Sequence, residues 1–124
     1  MQSVSAFAGA EDLQAISLDE LLQVHAPSVY LVKIDGDSMQ GAGIFDEDVV
    51  IVDKAIDARA GHIVIAAVNG EPVCKRLDYV GRQIVLRSEN PRYAPRFIME
   101  GDEFSVWGVV TYSLRSHGPM SCTS

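Results

Sequence analysis

The chain has 124 residues, 48% of them hydrophobic and 22% charged, which suits one globular domain and excludes wholesale disorder. Its formal charge is −7, so it gains nothing from counterion release on DNA, and direct sequence-specific DNA binding is not expected. It contains no run of about 18 apolar residues, so no membrane-spanning helix is expected. The opening Met1–Gln14 lacks the basic start of a signal peptide. A cytoplasmic setting follows as the expectation, with Cys74 and Cys122 as free thiols.

Residues 1–15 are small and weakly patterned and read as a flexible arm. Ser17 and Glu20 form a capping box, which predicts a short amphipathic helix through Leu21, Leu22 and Val24 that stops before Pro27. Beyond Pro27 the apolar period becomes two. Strands are predicted over 28–34, 48–53, 62–68, 71–77, 83–87 and 104–114. Asn69-Gly70 is a two-residue hairpin signal, and Gly81, Asn90-Pro91 and Glu100-Gly101-Asp102 mark further turns. Residues 116–124 read as a flexible tail. The fold class is mainly β: an antiparallel domain over residues 16–115 with one short N-terminal helix.

The hairpin fixes which side chains share a face. A two-residue turn at Asn69-Gly70 pairs Val68 with Glu71, Ala66 with Val73 and Val64 with Lys75. Lys75 then stands between Val73 and Leu77, an apolar setting that disfavours its ammonium form and suits it to act as a general base. The plain alternative is a lysine that snorkels to a sheet edge. Ser38 follows the strand 28–34 through Asp35-Gly36-Asp37. The glycine lets the backbone turn and aim consecutive N–H groups at one point, as an oxyanion hole requires. A hydroxyl on such a corner and a deprotonated amine in reach make a Ser–Lys dyad; the plain alternative is a strand-ending turn. The acids Asp46, Glu47, Asp48 and Asp53 lie far in sequence from His25 and His62, so they are expected to form a solvated turn, with no metal site and no cofactor.

These stretches stand in order: Asp35-Gly-Asp-Ser-Met39, Gly43, Asp46–Asp53, Gly61–Glu71, Val73-Cys-Lys-Arg-Leu77, Asn90-Pro-Arg-Tyr93 and Val106-Trp-Gly-Val-Val-Thr111. Together they resemble the self-cleaving peptidase domain of LexA-type repressors. Within that group they look most like the UmuD-type accessory subunits of SOS translesion polymerases. The resemblance covers roughly residues 16–115. It implies a compact, curved β fold with Ser38 as nucleophile, Lys75 as general base and the backbone amides of Asp37 and Ser38 as oxyanion hole. It also implies a homodimer, cleavage of the chain's own arm, a RecA–single-stranded DNA filament as trigger and a UmuC-type polymerase subunit as partner. The candidate scissile bond is Ala8-Gly9, with Ala6-Phe7 where the family often has Gly-Phe. The lack of the repressors' DNA-binding helices points to the UmuD type over a LexA-type repressor. The alternatives are a repressor's peptidase domain, or a module without enzymatic role that has lost its arm, dimerises and regulates a polymerase. A signal-peptidase relative would share the chemistry but needs a membrane segment.

Overall fold

A computed structural model describes residues 17–118. Ser17 caps helix α1 (Leu18–Leu22), its hydroxyl accepting the Glu20 N–H at 3.0 Å. The helix is shorter than the apolar spacing suggests. Gln23 takes a left-handed conformation at φ 57° and its N–H bonds to Asp19, so Val24 falls outside it. Seven strands follow: β1 (Val29–Lys33), β2 (Val49–Asp53), β3 (Ile63–Val68), β4 (Glu71–Val80), β5 (Gln83–Arg87), β6 (Arg96–Phe97) and β7 (Phe104–Leu114). All pairings are antiparallel, in the order β1-β2-β7-β3-β4-β5-β6. The mainly β fold expected from the sequence is the one observed. The sequence pattern does not mark β6 or the 3-10 turn over Gln40–Ala42; a two-residue strand and a three-residue turn are too short to show a period.

The central strand β3 is buried on both faces, which gives the domain two apolar clusters. Ile65 packs with Ile34, Met39, Ile44, Val50 and Val52, while Val64, Ala66 and Val68 pack with Leu77, Leu86 and Val109. The sheet shifts register between Ile51 and Val52 and between Ile65 and Ala66, both opposite β7. Gly108 lies at this irregularity. A Cβ there would meet Val52 Cγ1 at 2.6 Å, so only glycine lets β7 approach β2 this closely.

The β3–β4 hairpin has the expected register, with Val64 opposite Lys75. Asn69 and Gly70 both take positive φ, 52° and 83°, as the two-residue turn demands. Val73 and Leu77 face the second cluster and Cys74 the first, so Lys75 stands in an apolar row at the seam between them.

Candidate active site

Ser38 is placed by its neighbours. Met39, 2% exposed, anchors the chain just beyond β1 in the first cluster. Gly36, at φ 105°, turns the backbone between strand and serine, and its N–H donates to the Asp46 carboxylate at 2.7 Å. The far side of the turn is clamped to the segment after β5. Glu89 N–H donates to the Ser38 carbonyl at 2.9 Å, and Gly41 N–H to the Glu89 carbonyl at 2.7 Å. The Asn90 side-chain amide donates to the Asp37 carbonyl at 2.9 Å, and the Tyr93 hydroxyl to the Asp37 carboxylate. Among the described residues, the N–H groups of Asp37 and Ser38 have no hydrogen-bond acceptor. Two adjacent open donors beside a hydroxyl are suited to stabilising an oxyanion.

Lys75 is half-buried, and burial pushes its pKa down from the usual 10.5, while the adjacent Cys74 acts in the opposite direction. The Cys74 thiol is itself pushed up to about 11 by burial, so it stays protonated near neutral pH and is a poor nucleophile. Ser38 and Lys75 line one cavity of about 400 Å³, walled by Val32, Ile34, Ile65 and Val73. No hydrogen bond joins the two side chains among the described residues. The hydroxyl that Lys75 Nζ meets, at 2.8 Å, belongs to Ser88. The Tyr93 ring centroid lies 5.4 Å from the same nitrogen. A second cavity of about 280 Å³, lined by Ser88, Tyr93 and Arg96, meets the first at Glu71, Val73 and Lys75.

The turn of acids needs correction. Asp48 is not solvated: it is 1% exposed and paired with Arg115. Its carboxylate can be buried because it is met by the Phe45 N–H at 2.8 Å and by the Arg115 side chain, while Ile34 N–H bonds to its carbonyl at 2.8 Å. Among the described residues no group of three or more His, Cys, Asp and Glu could hold a metal. Cys74 is a free thiol. Ala6-Phe7, Ala8-Gly9 and Cys122 lie outside the described residues. The sequence pattern marks Asn90-Pro91 only as a turn and Asn90–Tyr93 only as part of the resemblance, and gives Ser88 no role, yet these residues hold the two halves of the site together.

Residues 3–111 match the family described as peptidase S24-like. The chain belongs to this family. Among its relatives, the LexA repressor of Bordetella avium is 37% identical over 102 residues, 82% of this chain and 47% of that protein. LexA repressor 2 of Pseudomonas putida is 40% identical over 102 residues, 82% of this chain and 50% of that protein. The LexA repressor of Cupriavidus necator is 36% identical over 116 residues, 90% of this chain and 54% of that protein. The chain thus spans about half the length of the curated relatives it matches. The expectation of the UmuD type over a repressor therefore loses its basis, because the match is to one portion of such proteins. The names of these S24-like relatives support the LexA type and give none to the UmuD type.

Proposed function

We propose that this domain is a self-cleaving serine peptidase of LexA type in which Ser38 is the nucleophile and Lys75 its general base. What supports the reading is that both side chains line one largely apolar cavity, with the lysine pKa lowered by burial. Neutral Lys75 takes the Ser38 hydroxyl proton as Ser38 Oγ bonds to the carbonyl carbon of the scissile peptide. The N–H groups of Asp37 and Ser38 receive the developing oxyanion. The C–N bond then breaks, and the Lys75 ammonium returns its proton to the leaving amine. Water attacks the acyl-serine, Lys75 takes its proton and passes it to Ser38 Oγ, and a new carboxyl end is released. The substrate is a segment N-terminal to the domain, with Ala8-Gly9 the candidate bond in this chain. The wider reading is a homodimeric SOS switch in the cytoplasm, triggered by a RecA–single-stranded DNA filament.

A UmuD-type role is the second reading, favoured by the charge of −7, which suits a domain that reaches DNA through a UmuC-type polymerase subunit. The test is intact-mass analysis of the protein at neutral and alkaline pH, with and without RecA and single-stranded DNA. Cleavage that rises with pH and disappears in Ser38→Ala and in Lys75→Ala supports the dyad; cleavage that survives in either variant refutes it. Operator binding by the full-length gene product that is lost on cleavage selects the LexA type. Recovery of the cleaved product with a polymerase subunit selects the UmuD type.

A further inference from the structure

Lys75 is held at one side by a group that sequence reasoning passed over. Along the β4–β5 hairpin the last paired residues are Arg76 and Arg87, so the register puts Ser88 opposite Lys75. Facing side chains of neighbouring strands lie close enough to interact, and here Lys75 Nζ donates to Ser88 Oγ at 2.8 Å. Ser88 is also tied to the nucleophile's turn. Its neighbour Glu89 bonds to the Ser38 carbonyl and to the Gly41 N–H through its backbone, and to Arg76 Nε at 3.0 Å through its carboxylate. One short segment thus fixes the lysine tip and the serine turn with respect to each other.

A neutral primary amine has two N–H groups and one lone pair. To act as a base toward Ser38, the lone pair must point into the shared cavity, and an unheld amine rotates freely about its last bond. We propose that Ser88 is a positioning residue, whose hydroxyl takes one N–H of the neutral Lys75 amine and so turns the lone pair toward Ser38. The Tyr93 ring, 5.4 Å from Nζ, closes a second direction, leaving the direction of the cavity open. In the charged form the same hydroxyl accepts from the ammonium, a stronger bond. Ser88 therefore holds the Lys75 pKa higher than burial alone would set it, while aiming the base.

This role rests on the Ser–Lys reading and is tested separately from it. Other groups that share the two cavities with Lys75 are Glu71 and Cys74 on β4, Tyr93 and Arg96 after β5, and Lys33 and Asp35 at the end of β1. All are retained in the variants compared. The experiment uses the full chain with ¹³Cε-labelled lysine, titrated by NMR, beside the pH dependence of Ser38 labelling by a fluorophosphonate probe. In that labelling Ser38 Oγ bonds to phosphorus, fluoride leaves and Lys75 takes the hydroxyl proton. Ser88→Ala should lower the Lys75 midpoint by roughly one pH unit and the alkaline labelling rate about ten-fold, with Ser88→Thr restoring both. A midpoint that stays where it was, or a plateau rate equal to the parent's, overturns the proposal. Loss of rate with no midpoint shift also overturns it, since a merely structural serine would give that result. If Lys75→Ala abolishes labelling while Ser88→Ala behaves as the parent, the dyad stands and the positioning role falls. If Lys75→Ala labels normally, the dyad fails and the role falls with it.

Discussion

A carboxylate shut away from water must be met by donors, and Asp48 is met on both oxygens. Arg115 donates from Nε at 2.9 Å and from Nη2 at 3.2 Å, and the Phe45 N–H adds a bond at 2.8 Å. The guanidinium lies 4.0 Å above the Phe45 ring and also donates to the Gly43 carbonyl at 2.8 Å. The arginine after β7 therefore closes the loop that follows the Ser38 turn. Removing it strands a buried charge, so Arg115→Ala should cost on the order of 2–4 kcal/mol in urea unfolding. The Arg115 hydrogen bond, ahead of the backbone bond from Phe45 and against a desolvation that acts the other way, holds the Asp48 carboxyl below its usual 3.8. A folded-state pKa below the unfolded one stabilises above the unfolded value, and the gain is lost as pH falls through the folded one. Thermal melts from pH 6 to pH 2 should therefore show the Arg115→Ala deficit shrinking toward the acid end. A deficit that is constant with pH would mean Arg115 acts through packing on Phe45 alone.

At the level of elements, the contact that matters most is between two turns. The 3-10 turn after Ser38 lies against the segment after β5, and Gly41 is where they touch. A Cβ there would stand 2.5 Å from the Glu89 carbonyl oxygen and 3.3 Å from its carbon, backbone atoms that cannot swing aside. Gly41→Ala should lift the serine turn off Glu89, weaken the bond to the Ser38 carbonyl and slow self-cleavage by about ten-fold or more. The measurement belongs well below the variant's melting temperature, where an unchanged rate would show that the two turns need not be in register. The strands that carry the site were legible because alternation and a two-residue turn together fix both face and partner: Lys75 opposite Val64, between Val73 and Leu77. The same rule applied at Gly81-Arg82, where Val80 pairs with Gln83 and Gly81 takes φ 62°, would have put Ser88 opposite Lys75. The signal was in the sequence, but a single glycine between Val80 and Arg82 is a weaker turn marker than Asn-Gly. For the clamp of Glu89, Asn90 and Tyr93 on the serine turn, the only marker was the turn at Asn90-Pro91. It joins residues about fifty positions apart in sequence, through the backbone carbonyls of Asp37, Ser38 and Glu89 and the Asp37 carboxylate, and strand alternation records none of these bonds. Asp48 was misread for a related reason, since its arginine comes from the far end of the chain.

Seen as a whole, the molecule puts its candidate base where two hydrophobic clusters meet, and that position has a thermodynamic consequence. Val73 and Leu77 on either side of Lys75 contribute to the second cluster, Cys74 to the first, and the amine occupies the gap in an otherwise apolar row. Burial lowers the Lys75 pKa, so in the range between the lowered value and the usual 10.5 the unfolded chain binds more protons than the folded one. Stability contributed at this site must then rise with pH through that range, and near neutral pH the lysine opposes folding. Lys75→Met keeps an unbranched side chain one atom shorter and removes the charge, and should raise the melting temperature by about 2–4 °C at pH 7. The gain should narrow as pH rises through the range up to 10.5 and level off above it, where the parent lysine is mostly neutral in both states. On the proposed dyad, self-cleavage of the parent should rise over the same interval, because the proton whose loss relieves the folded state is the one that must leave before Ser38 can be activated. If the methionine variant is less stable than the parent at pH 7, or its advantage is flat with pH, then the ammonium is at ease where it stands, and the cavity does not supply the free base that peptide cleavage requires.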